Sequence, residues 1–344
     1  MSYHKVLYTM SILDLSFNDD TTCLVAGLNN GFTVYSLKQA IEKSIVTELN
    51  GGIGKARLLR STNILALVGG GEEPFRAKDN VIVWNQHLKK IVVSIELNEP
   101  IKNVFITNKK IVIVVETRVC IAALTNGDIS DTKNTYSNEK GLCKYSNKND
   151  SLILVTLGTK KGEVSVWFLT AEKHTTIAAH KNNIVALAIN EDGSMIATAS
   201  ESGTNIHVYD TETGNLKYQL RRGTTVVSAY TEIYDICFDK NSKQLACVSN
   251  SGTIHIWDLT TNDEASANKK ALLEPTGIGS VIPYFKSVWS REQITIGDTS
   301  KMICSFDDND VLHVASYNDN YFRISGTNGK YDQVKRSFMY TSQK

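Results

Sequence analysis

The amino-acid sequence predicts an all-β protein that folds as a seven-bladed β-propeller. Short strand-like runs ending in an aromatic residue recur along the chain, as in "GFTVYSL" at 31–37, "NVIVWNQ" at 80–86 and "TIHIWDL" at 253–259. Further β-rich runs such as "MIATAS" and "LACVSN" lie between them. Four short strands in each repeat of roughly 40–45 residues are typical of a propeller blade. The 344 residues contain no linker-like tract, which favours one closed repeat fold over two independent domains.

The repeats predict that residues 1–344 form a single propeller. The third repeat is degenerate, whereas the seventh supplies four strands of its own, so an N-terminal strand is not needed to complete it. Helical periodicity is weak except near "LKQAIEK" at 37–43, which we interpret as a short connector. The predicted blades span residues 10–48, 53–97, 101–136, 141–180, 184–223, 232–290 and 294–340.

The charge balance argues against two classes of function. With 37 basic and 36 acidic residues, the chain is neither a general nucleic-acid binder nor a polybasic membrane anchor. Six scattered cysteines without a CxxC pair indicate reduced thiols in a cytosolic protein. No signal peptide is evident, and no apolar run approaches the roughly 20 residues that span a bilayer. We therefore expect a cytoplasmic protein that docks on membranes from outside the bilayer.

Motifs that suggest catalysis are weak. The stretch "GGIGKA" at 51–56 lacks the spacing of a phosphate-binding loop, and a turn between blades is the better interpretation. Asp210 and Asp258 follow strand-end aromatic residues, as the structural aspartates of WD repeats do. The seven histidines show no metal-ligand spacing. We expect neither an enzyme nor a cofactor or metal.

Two adjacent arginines, Arg221 and Arg222, end a predicted strand in "LKYQLRRGTTVV" at 216–227. Because neighbouring residues of a strand point to opposite faces, their guanidinium groups should serve different sites. The motif S-x-S-G-T occurs before the doublet at 200–204 and after it at 249–253, and supplies small hydroxyl groups. Arginine and hydroxyl donors together suit a phosphate ligand. Alternatively, the motifs are ordinary hairpin turns and the arginines form surface ion pairs.

The motif "LRRG" at 220–223 resembles the F/L-R-R-G signature of the PROPPINs, seven-bladed propellers that bind phosphoinositides. Three longer stretches resemble the second, fifth and sixth blades of that family. They are "LALVGGGEEPFRAKDNVIVWN" at 65–85, "AAHKNNIVALAINEDGSMIATASESGTNI" at 178–206 and "YFKSVWS" at 284–290. The chain is most similar to the compact yeast "homologous with swollen vacuole" branch of the family.

The resemblance implies two headgroup sites at neighbouring blade edges, for phosphatidylinositol 3-phosphate and phosphatidylinositol 3,5-bisphosphate. By motif, site one comprises His180, Ser200, Thr204 and Arg221, and site two comprises Arg222, Ser249, Ser251, Thr253 and His255. Both histidines would face phosphate groups. Since an unperturbed histidine titrates near about 6.5, we expect binding to strengthen modestly as the pH falls from about 7.5 to 6.

A long loop at 260–283 of blade six is the third element that the resemblance explains. It exceeds the median loop length of about 4–6 residues, and the family resemblance implies that it inserts into the membrane. The alternative is that the loop packs its apolar side chains against its own propeller. The candidate inserting residues are Leu272, Leu273, Ile278, Val281 and Ile282.

Together, these features predict a peripheral membrane protein that recruits or scaffolds proteins in autophagy and in vacuolar or endosomal trafficking. We expect a monomer on vacuolar, endosomal or pre-autophagosomal membranes, with no nucleic-acid partner. Autophagy or trafficking proteins would bind through loops, with "EEPFRAKDN" at 72–80 as a candidate by resemblance. The alternative is a WD-repeat scaffold that binds proteins only and no lipid.

Overall fold

The structure, a computed structural model, describes residues 11–148, 151–222, 231–260, 288–327 and 330–339. These residues form 29 β-strands in seven sheets and contain no helix. The all-β class and the seven blades are therefore confirmed. The segment "LKQAIEK" is not helical, because Glu42 begins a strand that pairs with the preceding strand of its sheet.

Each of the first four sheets is built from four consecutive strands. Sheet one contains β1 (Ile12–Phe17), β2 (Cys23–Leu28), β3 (Gly31–Ser36) and β4 (Glu42–Glu48). Sheet two contains β5 (Ile53–Leu58), β6 (Ile64–Gly69), β7 (Asn80–Asn85) and β8 (Lys90–Glu96). Sheet three contains β9 (Asn103–Ile106), β10 (Lys110–Val114), β11 (Arg118–Ala123) and β12 (Ile129–Asn134). Sheet four contains β13 (Cys143–Lys148), β14 (Ser151–Leu157), β15 (Glu163–Phe168) and β16 (Lys173–Ala178).

Among the last three sheets, sheets five and six depart from this consecutive order. Sheet five contains β17 (Ile184–Ile189), β18 (Met195–Ser200), β19 (Asn205–Asp210), β20 (Leu216–Arg221) and the distant β24 (Val288–Trp289). Sheet six contains β21 (Ile233–Phe238), β22 (Gln244–Ser249), β23 (Thr253–Asp258) and β25 (Glu292–Thr295). Sheet seven contains β26 (Met302–Phe306), β27 (Leu312–Ser316), β28 (Asn320–Thr327) and β29 (Lys330–Ser337).

The boundary between the last two blades differs from the prediction. The fourth strand of sheet six is β25, which lies beyond the predicted blade end at residue 290 and overlaps the predicted start of blade seven at 294. The sequence predicts that "VWS" at 288–290 ends blade six. In the structure this stretch contributes β24, which pairs in parallel with β20 of sheet five. Local pattern could not reveal this pairing, because the two strands are far apart in sequence.

Contact density divides the chain into two compact units. The first includes sheets one and two together with residues 337–339, and the second includes sheets four to six and most of sheet seven. Within the first unit, the Phe338 ring packs edge-on against Tyr35, with 5.2 Å between ring centroids. Lys43 Nζ donates to the Met339 carbonyl at 2.7 Å. These contacts attach the residues after β29 to sheet one.

The hydrophobic core that positions the candidate sites lies between sheets five and six. Leu220, Ile236, Leu245 and Trp257 are buried there. β-branched and aromatic side chains fit the half-covered surface of a sheet, which explains why these runs form strands. Complete burial of a side chain such as Leu220 contributes roughly 1.5–3 kcal/mol. The burial of Leu220 fixes the position of β20, the strand that ends at Arg221.

Candidate functional site

Strand β20 places the two arginines on opposite faces of sheet five. Leu220 packs into the apolar cluster shared with sheet six, and Arg222 lies two residues further on the same face. The side chain of Arg222 reaches sheet six, whereas Arg221 lies over the ring of Trp289 in β24. Only 5% of Arg221 and 8% of Arg222 are exposed. The doublet therefore divides between two environments, as strand alternation requires.

In site two, one guanidinium holds both serines of the second S-x-S-G-T motif. Arg222 Nη2 donates to Ser249 Oγ at 2.8 Å and to Ser251 Oγ at 2.7 Å. The two hydroxyl oxygens are 3.0 Å apart, so one hydroxyl donates to the other. Thr253 lies at the other end of the same turn, and its backbone N–H faces Ser251 Oγ at 3.3 Å. Four of the predicted residues thus converge at one end of sheet six.

The Arg222 charge has no acidic partner in the part of the chain that the structure describes. Its Nε is buried and makes no hydrogen bond there. Burial lowers the pKa of Arg222 from its usual value, although a guanidinium remains protonated at neutral pH. A buried charge without a counter-ion is costly, and a bound anion would reduce that cost.

His255 is the remaining residue predicted for site two. Its Nδ1 lies 3.1 Å from Ser290 Oγ, and its ring stacks on Trp257 with centroids 5.8 Å apart. Burial, followed by the nearby charge of Arg222, lowers the pKa of His255 to about 4. The imidazole is therefore neutral near pH 7 and can serve only as a neutral hydrogen-bonding group.

Site one repeats the serine turn in blade five. Ser200 Oγ and Ser202 Oγ are 3.0 Å apart, and the Gly203 N–H donates to the Ser200 carbonyl. The Thr204 carbonyl accepts the backbone N–H of Arg222. β18 ends at Ser200 and β20 ends at Arg221, so the hydroxyls and the guanidinium lie at the same end of sheet five.

The surroundings of Arg221 differ from those of Arg222. Asn205 of β19 is its partner in the ladder, and Trp289 is its partner in β24. The Arg221 Cζ lies 5.6 Å from the centroid of the Trp289 ring, within cation–π range. The Oδ1 atom of Asn205 is buried without a hydrogen bond to any described residue. The Trp289 ring thus lies against this guanidinium, whereas the hydroxyls of Ser249 and Ser251 lie against that of Arg222.

His180 lies beside site one on the surface of β18. Its Nε2 is 2.9 Å from Thr198 Oγ1 and 3.2 Å from the Thr198 carbonyl, and Thr198 precedes Ser200 by two residues. The His180 ring stacks on His207, with centroids 4.5 Å apart. Burial, followed by repulsion from His207, lowers the pKa of His180 to about 4. No described contact joins His180 directly to Arg221.

The two low pKa values correct the expected pH dependence. Both imidazoles are neutral between pH 6 and 7.5, because burial disfavours their charged form. Protonated His180 and His255 therefore do not supply the expected strengthening of binding over that range.

Comparison with known proteins identifies the family. A sequence model of the PROPPIN family matches residues 11–274, which is more than half of the chain. The chain belongs to the PROPPIN family. SVP1-like protein 2 of Pichia angusta is 31% identical over 293 residues, which cover 81% of this PROPPIN and 79% of the relative. Autophagy-related protein 18 of Dictyostelium discoideum is 31% identical over 273 residues, which cover 77% and 68%.

Solved structures show the same fold as this PROPPIN. The crystal structure of Hsv2 from Kluyveromyces marxianus matches with a TM-score of 0.77 and 21% identity, over 96% of this chain and 100% of Hsv2. KlAtg21, solved in complex with the coiled-coil of AgAtg16, matches with a TM-score of 0.74 and 22% identity, over 96% and 100%. These matches confirm the predicted seven-bladed β-propeller. The family resemblance seen in the sequence is also confirmed, and PROPPINs are non-enzymatic lipid-binding scaffolds.

Two residues of the PROPPIN site were missed by sequence reasoning. Trp289 contacts Arg221 and Ser290 contacts His255, so two consecutive residues that follow the segment 261–287 reach both sites. The stretch "YFKSVWS" marks them in the sequence, but only its resemblance to a blade end was noted. Trp289 reaches Arg221 because β24 pairs with the distant strand β20.

The five candidate inserting residues lie outside the described part of this PROPPIN, at 272–282. Their role stays a prediction. Where the chain is described, it has no helix that could cross a membrane. It also has no group of three or more side chains suited to hold a metal ion, within the same residues.

Proposed function

We propose that this PROPPIN binds phosphatidylinositol 3-phosphate and phosphatidylinositol 3,5-bisphosphate through site one and site two. The observation that carries the proposal is Arg222, a buried guanidinium held by Ser249 and Ser251 with no acidic partner in the described residues. Such a group attracts an anion, and a phosphorylated headgroup brings several acceptor oxygens to it.

The serine pair offers a hydrogen-bond donor to a ligand oxygen beside the Arg222 charge. Both serine oxygens accept from Arg222, and one hydroxyl proton is used between them. The second hydroxyl proton remains available to a ligand oxygen. A phosphate group can therefore receive a hydroxyl donor and a full positive charge from the same turn.

Site one offers the same kinds of group on the next blade edge. Ser200, Ser202 and Arg221 lie at the corresponding end of sheet five. Two sites on one rigid body act at high effective concentration when both engage one bilayer. Individually weak headgroup contacts can thus give stable membrane association. The protein would act by its presence at the membrane and would catalyse no reaction.

We further propose a cytoplasmic recruiter or scaffold, peripheral on vacuolar, endosomal or pre-autophagosomal membranes, in autophagy and trafficking. Support comes from a relative named autophagy-related protein 18 and from KlAtg21, which was solved with the coiled-coil of AgAtg16. Loops such as 72–80 would contact protein partners, and the protein itself would act as a monomer. Partner identity would follow from the loops, whereas lipid identity would follow from the two sites.

A liposome flotation assay tests the proposal. Vesicles of phosphatidylcholine with phosphatidylinositol 3-phosphate, with phosphatidylinositol 3,5-bisphosphate or with phosphatidylinositol alone are compared at equal molar fraction. The protein should float with the first two and not with the third. Equal flotation with all three would contradict headgroup recognition, and no flotation with any would favour the scaffold that binds proteins only.

A further inference from the structure

The serine turns of the two sites differ at one charged position. Blade five reads Ser-Glu-Ser-Gly-Thr at 200–204, and blade six reads Ser-Asn-Ser-Gly-Thr at 249–253. The carboxylate of Glu201 thus stands where Asn250 carries a neutral amide. Because the ligand of both sites is proposed to be anionic, a negative charge at one turn bears directly on their relative affinity.

Backbone contacts show that the two positions are equivalent. The Glu201 N–H donates to the Asn183 carbonyl at 3.0 Å, and the Asn250 N–H donates to the Glu232 carbonyl at 3.0 Å. Each turn therefore pairs with the residue that precedes the innermost strand of its own blade. In blade five the first residue of this pair is the amide Asn183 and the second is the acid Glu201. In blade six the order is reversed, with the acid Glu232 first and the amide Asn250 second.

The two acids also differ in how their charge is compensated. Glu232 forms an ion pair with Lys140, at 2.9 Å between Oε1 and Nζ. Glu201 accepts only the neutral amide of Asn183, at 2.9 Å between Oε1 and Nδ2. Among the described residues no lysine or arginine lies within ion-pair distance of Glu201. Within the described part of the chain, no ion pair therefore offsets this charge beside Ser200 and Ser202.

We propose that Glu201 makes the sites unequal, lowering the affinity of site one for an anionic headgroup relative to site two. This inference rests on the proposed function. Glu201 is exposed, so water and salt weaken its field but do not remove it at low ionic strength. If the carboxylate and a phosphate are about 4 Å apart in water, Coulomb repulsion between them corresponds to about a three- to tenfold loss of affinity.

The test isolates each site and changes only the charge of its turn. Arg222→Ala leaves site one, in which Glu201→Gln removes the charge and keeps an oxygen for the Asn183 amide. Arg221→Ala leaves site two, in which Asn250→Asp adds a charge and keeps the oxygen that accepts the Glu232 N–H. Titration calorimetry measures binding of soluble inositol 1,3-bisphosphate at low salt and at about 1 M salt, where the Debye length is about 3 Å.

We expect Glu201→Gln to strengthen site one and Asn250→Asp to weaken site two, each about three- to tenfold at low salt and less at high salt. Unchanged affinity in Glu201→Gln at low salt would overturn the inference. A change that persists undiminished at high salt would also overturn it, since it would then arise from shape. Should an arginine variant fail to fold, Glu201→Gln in the otherwise unmodified chain must still raise headgroup affinity.

The outcome separates this inference from the proposed function. If each isolated site binds the headgroup and Glu201→Gln has no effect, only the role of Glu201 is wrong. If the unmodified chain does not bind the headgroup at all, the proposed function and this inference are both wrong. Thermal unfolding followed by circular dichroism establishes that the variants are folded before either conclusion is drawn.

Discussion

Arg221 and Arg222 are neighbours in the chain and almost equally buried, yet they are held by different kinds of contact. Arg222 donates to the hydroxyls of Ser249 and Ser251 on the next blade. Arg221 lies against the ring of Trp289, which reaches it through a strand formed far along the chain. Strand alternation decides which face each side chain occupies, whereas long-range pairing decides what it meets there.

The difference matters for binding. Hydroxyls that accept from Arg222 are already ordered, so site two is partly preorganised for an anion. The Trp289 ring contacts Arg221 through the face of the guanidinium, as a cation–π contact does. Equivalent residues in the two sites should therefore respond differently to substitution, and the following experiments measure that difference.

The largest effect should come from removing both arginines. Each of Arg221→Ala and Arg222→Ala should weaken flotation with phosphatidylinositol 3-phosphate vesicles. A hydrogen bond to a charged group contributes about 1.5–3 kcal/mol, and the double variant also loses avidity, so its binding should fall at least about 100-fold. Flotation of the three variants beside the unmodified chain measures the effect.

A second pair of adjacent cations provides the control. Lys335 and Arg336 are exposed on β29, and their double alanine variant removes the same charge from another blade. Its flotation should be close to that of the unmodified chain. Binding retained in the Arg221/Arg222 double variant, or lost equally in both doubles, would contradict the two-site proposal.

The two leucines at 272 and 273 should give the next largest effect. Leu272→Asp with Leu273→Asp should reduce vesicle binding about tenfold or more, because each large apolar side chain that leaves water contributes roughly 1.5–3 kcal/mol. Affinity for soluble inositol 1,3-bisphosphate should stay nearly unchanged, since the headgroup contacts need no bilayer. A parallel loss in both assays would mean that the segment supports the pocket, and unchanged vesicle binding would favour packing against the propeller.

The glycines of the two serine turns should differ in how they tolerate a side chain. Gly203 and Gly252 both have φ near +65°, at +64° and +67°. A Cβ at Gly203 would lie 2.3 Å from the Thr231 carbonyl oxygen, whereas at Gly252 the nearest atom, the Asp298 carbonyl oxygen, is 3.2 Å away. Both alanine variants strain the backbone, but Gly203→Ala should be about 1–3 kcal/mol less stable than Gly252→Ala.

Chemical denaturation of these two variants gives the comparison directly. The pair is closely matched, since the substitution and the glycine conformation are the same and the two turns differ only at Glu201 and Asn250. Equal free energies of unfolding would show that the segment at Thr231 shifts to make room, and that the two turns are interchangeable.

The smallest effects concern pH. His180 and His255 each have a folded pKa of about 4, against about 6.5 in an unfolded chain. The unfolded chain therefore binds more protons between these values, so the free energy of unfolding falls as the pH falls from above 6.5 towards 4. From pH 7.5 to 6 the loss should be about 0.5–1 kcal/mol for each histidine.

Denaturation at several pH values tests this sign with matched variants. His180→Gln and His255→Gln should each flatten the pH dependence, whereas His87→Gln, at an exposed position, should not. Vesicle binding between pH 7.5 and 6 should change only through protonation of the phosphate itself. Binding that strengthens in the unmodified chain but not in the histidine variants would show that the bound phosphate raises the imidazole pKa.

Much of the fold could be predicted because most sheets consist of consecutive strands. Aromatic residues near strand ends, such as Tyr35, Trp84 and Trp257, recur in the third strand of several sheets, and period-two alternation predicted separate faces for the two arginines. The exceptions involve long-range pairing. Strand β24 joins sheet five and β25 completes sheet six, and neither pairing has a signal in the local sequence.

Within the candidate sites, residue types were predictable but their environments were not. The serines near Arg222 followed from the repeated motif, and direct comparison of the two motifs would also have revealed Glu201 opposite Asn250. The neutral state of His180 depends on burial against His207, which no spacing rule reports. Trp289 and Ser290 could not be predicted for a similar reason. Their contacts with Arg221 and His255 depend on long-range pairing and not on local spacing.

Strand β24 also determines when blade five can be completed during translation. Strands β17 to β20 follow one another directly, so they can pair as soon as they leave the ribosome. Val288 and Trp289 are synthesised only after three strands of sheet six and the segment 261–287. A nascent chain that stops short of residue 288 would thus carry the arginine doublet without the aromatic ring over Arg221. Site one would be finished late in synthesis, after most of the strands around it.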